Sequence, residues 1–189
     1  MTRDEALKIL DELENSENMK KHGLAVGFAM GELYDFFEQE GKKLEMKKDD
    51  WESAGILHDA DYEITNKSLD RHTEETTEKL KEMKADQLII DAIRGHCDKT
   101  PRNTLMAKAV YAADELTGLI VAAALVRPDK KLASLTKESV LKRFGEKSFA
   151  AGANRDQIRT CESELGIDLD EFVSIVLKAM QGKSKLLGL

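Results

Sequence analysis

Apolar positions recur along this chain at three- and four-residue intervals, and no stretch of useful length alternates with a period of two. Thr2 and Glu5 have capping-box spacing, and Ala6, Leu7, Ile9, Leu10 and Leu13 predict a short amphipathic first helix. After the polar break ENSEN, a second helix is expected from about Glu17 to Glu40, closed by Gly41. Its inward stripe is His22, Val26, Ala29 and Leu33, continuing to Phe36 and Phe37. Asp49-Asp50 predicts the cap of a third helix, whose apolar positions Trp51, Ala54, Ile56 and Leu57 lead to His58-Asp59.

A strongly charged helix is expected from about His72 to Met83, and Ala85-Asp86 starts another that carries Ile89, Ala92, Ile93 and, at its end, His96. The loop DKTPRN leads into the longest apolar helix, Thr104 to about Val126, with Asp114 inside it. Beyond Arg127-Pro128 three shorter helices are expected: Thr136 to Phe144, Arg155 to Leu165 between an Asn154 cap and Gly166, and Leu169 to Gln181 with Asp168 and Glu171 as a capping box. The fold class is all-α: one domain over 1–189, with a helical core at 18–126 and a C-terminal helical extension at 127–189 packed on it.

Composition narrows the function more than the fold. A net charge of −7 without a dense basic run argues against duplex nucleic acid as a partner, yet a small anion remains compatible where a metal supplies positive charge. Leu116 to Val126, the longest apolar run, is too short to cross a bilayer, and MTRDEALKIL has no apolar signal segment. Cys97 and Cys161 lack CxxC spacing, so reduced thiols and a cytoplasmic location are expected. Gly23, Gly27 and Gly31 each cost the second helix about 1 kcal/mol relative to alanine, for which the expected compensation is close approach of a neighbouring helix.

The inward polar residues are His22, His58-Asp59, His72, His96 and Asp114, from at least four helices or helix ends. A lone Asp114 on an apolar face is expensive to bury without a cation or several hydrogen bonds. Imidazoles combined with carboxylates suit Fe, Mn, Co, Ni or Zn better than Mg or Ca. Six such donors are enough for one or two divalent transition metals per chain.

In order and context these residues resemble the HD superfamily of metal-dependent phosphohydrolases. The likeness covers about residues 20 to 118, through HGLAV, AGILHDADYE, AIRGHCDKTPR and AVYAADELTG. It implies that His22, His58, Asp59 and Asp114 are the metal set that names the superfamily, and that His72 and His96 match the extra histidines of its two-metal members. The segment from His96 to Asp114 looks especially like the HD proteins that hydrolyse dinucleoside tetraphosphates. The chain departs at Ala60-Asp61, where several HD branches place glycine and then lysine, and in its short spacing from Asp59 to His72.

The resemblance further implies that Asp59 bridges two metals and that a bridging hydroxide attacks phosphorus in a nucleotide-like or other small phosphorylated substrate, so two divalent transition metals per chain are expected. His58, Asp59, Asp61, Lys99 and Arg102 are the catalytic candidates. Lys67 and Arg71 join Lys99 and Arg102 as phosphate contacts, while Asp61, Glu63 and Glu115 are candidate outer carboxylates or a proton shuttle. A di-iron oxygenase on the same scaffold and a metal-holding nucleotide-binding module are the alternatives. Oligomeric state, a homo-oligomer included, is left open.

Overall fold

Side-chain caps open most of the helices. The computed structural model describes residues 1–189 and contains ten α-helices and no strand. They are α1 (Arg3–Glu12), α2 (Glu17–Gln39), α3 (Lys48–Leu57), α4 (Glu74–Glu82), α5 (Gln87–Gly95), α6 (Leu105–Leu125), α7 (Lys137–Gly145), α8 (Arg155–Thr160), α9 (Leu169–Gly182) and α10 (Ser184–Leu187). Thr2 and Glu5 form the expected capping box of α1, and the hydroxyls of Ser16, Thr104 and Thr136 accept amide hydrogens at the starts of α2, α6 and α7. The fold is all-α.

Four expectations are corrected. The third helix begins before Asp49-Asp50, at Lys48, and the Asp50 carboxylate caps it from inside by accepting the Lys47 amide at 3.1 Å. The charged helix starts at Glu74, because Thr73 takes a left-handed conformation (φ 67°) and leaves His72 in the preceding turn. The helix from Arg155 changes at Cys161 to a five-residue π-turn through Leu165 before Gly166 (φ 71°) ends it, and both Cys161 and Leu165 are buried. Asp168 makes no side-chain cap bond to α9; its carboxylate stays in solvent.

The glycines of α2 meet α3. A Cβ on Gly23 would lie 2.5 Å from the Ile56 carbonyl oxygen, one on Gly27 2.6 Å from the Ile56 side chain, and one on Gly55 2.9 Å from the Gly27 backbone. The backbones therefore touch where side chains would keep them apart, bringing the start of α2, with His22, against the end of α3, with His58.

Helix α6 is the common neighbour, contacting α2, α3, α5, α7, α8 and α9. One continuous cluster of buried apolar side chains runs from Ala6 to Leu187, so the helices after Pro128 share their core with those before it. No helix is long and apolar enough to cross a membrane.

Candidate metal centre

Four imidazoles and two carboxylates converge on one point, each delivered by a different local device. His22 comes from the first turns of α2, His58 follows the last residue of α3, and Asp59 is the next residue. His72 sits in the turn before α4, His96 caps the end of α5, and Asp114 lies midway along α6.

The six residues sort into two groups around Asp59. Its Oδ2 lies 3.6 Å from Nε2 of both His22 and His58. Those two nitrogens are 3.2 Å apart, and Asp114 Oδ1 is 3.2 Å from the first and 3.3 Å from the second. The other oxygen, Asp59 Oδ1, lies 3.1 Å from His72 Nε2 and 3.2 Å from His96 Nε2, which are 3.0 Å from each other. Donors bound about 2.1 Å from one ion stand about 3.0–3.4 Å apart along the edges of its polyhedron. The spacings of both groups fall in or close to that range.

The hydrogen-bond network says which nitrogens are available. His58 Nδ1 donates to the Gly55 carbonyl at 2.8 Å, His96 Nδ1 to the Ile93 carbonyl, and His72 Nδ1 to Asp61 Oδ1 at 2.9 Å. With Nδ1 protonated in each, Nε2 carries a lone pair toward the centre. On the His72–His96 side two such lone pairs face one another at 3.0 Å, which is repulsive unless a cation or a proton lies between them. The donor set could hold divalent metal.

Electrostatics point the same way. Burial opposes protonation of His22, yet the Asp114 and Asp59 carboxylates outweigh it and lift its pKa to about 10. Burial likewise opposes protonation of His72, and Asp59 and Asp61 raise it to about 9. Burial would raise Asp59 and Asp114, but the neighbouring histidines hold both well below the usual carboxylate range. Without ions, protons take the role of the cation.

A pH dependence follows. The raised histidines stabilise the metal-free fold below their ordinary value of 6.5, and this is lost as pH climbs through about 9 to 10. The depressed carboxylates stabilise it above 3.8, a contribution lost on acidification. The chelated protein is therefore expected to melt highest between roughly pH 4 and 6.5. Since ligation needs neutral imidazoles, the gap in Tm between metal-loaded and chelated protein should widen from pH 6 to pH 9. Thermal melts at both pH values, with and without chelator, check it; a constant gap contradicts it.

Asp61 is fully buried beside His72. Besides His72, its carboxylate accepts the amides of Thr73 (2.8 Å) and Thr76 (3.1 Å), so it caps α4 and orients His72 with the same two oxygens. Asp61→Asn is expected to weaken binding at the His72–His96 side by about 10–100-fold and leave the His22–His58 side nearly unchanged. Metal titration of the two proteins reads both affinities.

The remaining candidates lie outside the cluster. Lys99 is held by the Asp70 and His72 carbonyls and by Glu74, which ties the turn around His72 to the loop after α5. Arg102 pairs with Asp98 and Glu164 and stacks on Tyr111, its guanidinium carbon 3.7 Å from the ring centre. Arg71 pairs with Glu75, whereas Lys67 makes no ion pair and lies 6.0 Å from the centre of the Tyr62 ring, which meets His72 edge-on. Glu63 binds the backbone and hydroxyl of Ser16, and Glu115 accepts the Asn154 amide. Cys97, which its spacing did not single out, brings a half-buried thiol within 4.8 Å of ligand atoms of His72 and His96. The only signal for it was its place beside His96.

A family model described as HD domain matches residues 19–119. No curated protein and no solved structure matches the chain.

Proposed function

The chain belongs to the HD domain family, whose members are in general metal-dependent phosphohydrolases, and from that premise we propose that it hydrolyses a phosphoester bond of a small phosphorylated substrate. The observation that carries the reading is the division of Asp59: one carboxylate oxygen faces His22 and His58, and the other faces His72 and His96. Two divalent transition ions would suit that division, one held by His22, His58, Asp114 and Asp59, the other by His72, His96 and Asp59. When bound, such ions would supply Lewis acidity at a phosphoryl oxygen and make water acidic enough to attack at neutral pH.

The protein's own part is placement. Asp59, shared between both groups, fixes the spacing of the two sides. The main-chain carbonyls of Gly55 and Ile93 lock His58 and His96 with Nε2 inward. His58, His72 and His96 are buried, while His22, Asp59 and Asp114 keep between 17% and 28% of their side-chain surface, so the substrate approaches from that side. Among the basic candidates in the flanking loops, Lys67 is free of carboxylate partners and is assigned to the phosphate. Lys99 and Arg102, already engaged, are positioning residues for the turn at His72 and the loop after His96.

The test is turnover. Purified protein loaded in turn with Mn, Fe, Co and Ni, its metal content measured, is offered a panel of nucleotides and simple phosphoesters. Hydrolysis of a panel member that depends on the ion and on Asp59 is expected. A filled site with no hydrolysis under any metal overturns the proposal.

A further inference from the structure

One face of α6 leads away from the metal centre. Asp114, Gly118, Val121 and Leu125 follow one another at helical spacing, from the carboxylate beside His22 to a leucine 49% exposed. Along this face runs a groove of about 420 Å³ with His22 in its wall. Leu187 and Leu189 line it as well, and Asn18 and Lys21 add its polar part. Its size falls within the roughly 300–1,000 Å³ usual for small-molecule sites.

Gly118 is the informative residue. A Cβ there would meet nothing within 4 Å, whereas at Gly23, Gly27, Gly31 and Gly55 it would collide with a neighbour. Glycine inside a long helix is unfavourable, and no helix packing at Gly118 offsets it. What its missing side chain leaves is room, one turn from Asp114, in the groove. The side chains of Val121, Leu125, Leu187 and Leu189 carry no hydrogen-bonding atoms, so a polyphosphate or a bare sugar would leave polar groups unpartnered against them.

We propose that this groove receives an apolar group attached to the substrate's phosphate, and that the substrate class is a phosphate ester of an aryl or branched-alkyl alcohol. This rests on the phosphohydrolase reading and narrows it. The phosphate lies at the metal centre, His22 marks the junction, and the apolar part lies along Gly118, Val121 and Leu125.

Phosphonates, whose carbon–phosphorus bond resists hydrolysis, separate binding from turnover. Calorimetry of Mn-loaded protein with phenylphosphonate and methylphosphonate is expected to give a phenyl preference of at least about tenfold. Gly118→Leu, which fills the groove with a residue that helices favour, should bring that ratio to about one, while Gly118→Ala keeps most of it. Metal content and Tm of each variant verify that the site and the fold are intact. Equal affinities in the unaltered protein, or a preference that survives Gly118→Leu, overturn the groove assignment. So does a protein that hydrolyses panel esters but binds neither phosphonate. Loaded protein that binds neither and hydrolyses nothing overturns the phosphohydrolase reading, and this inference with it.

Discussion

Replacing Asp59 with alanine is expected to empty both halves of the metal centre at once. No other carboxylate meets both groups: Oδ2 is directed at His22 and His58, and Oδ1 at His72 and His96. His72→Ala or His96→Ala removes a donor from one side only, so each variant should fall from two ions per chain to one. His22→Ala should weaken the opposite side. Hydrolytic rate should drop by about a thousandfold or more in Asp59→Ala, since the attacking water loses its activation. Metal analysis after dialysis, alongside kcat/KM, decides between a shared ligand and two independent ones. Two retained ions in Asp59→Ala, or an unaltered protein that holds one ion when saturated, contradict the bridging assignment.

Gly23→Ala should be the most damaging single methyl group in the protein. The added Cβ would lie 2.5 Å from the Ile56 carbonyl oxygen, a backbone atom that cannot swing aside, so α2 and α3 must separate. A cost of about 3 kcal/mol is expected, although alanine is the better helix former. The damage should also reach the centre, because Gly23 adjoins His22 and Ile56 lies two residues before His58. Chemical denaturation gives the stability, and titration at the His22–His58 side should weaken in parallel. Gly118→Ala, made in open space on α6, is the control and should be neutral or stabilising.

These two glycines mark what was legible in the chain. The four-residue spacing of Gly23, Gly27 and Gly31 announced a close helix neighbour, and the periodicity of α2, α5 and α6 placed His22, His96 and Asp114 on apolar-facing sides, because both signals are local. The caps at Thr2 and Asn154 are local too and were readable. Asp61 was readable as an outer carboxylate, but its partners were not: its bonds to His72, Thr73 and Thr76 span 11 to 15 residues and depend on how the turn before α4 folds back, which no periodicity encodes. Asp168 was misread for the converse reason: capping-box spacing is present, but its carboxylate stays in water. Cys97 and the π-turn at Cys161 follow from packing between distant segments. So does the groove at Gly118, which takes the last turn of the chain to form its wall.

The double duty of Asp61 has a kinetic consequence. Its carboxylate closes the first turn of α4 and holds His72, so displacement of Asp61 would release both at once. On the two-metal proposal, departure of an ion from the His72–His96 side would then be coupled to local unfolding of the segment that Asp61 ties together. Its rate should match the rate at which the Thr73 and Thr76 amides become open to deuterium, while release from the His22–His58 side, anchored on long packed helices, follows a separate clock.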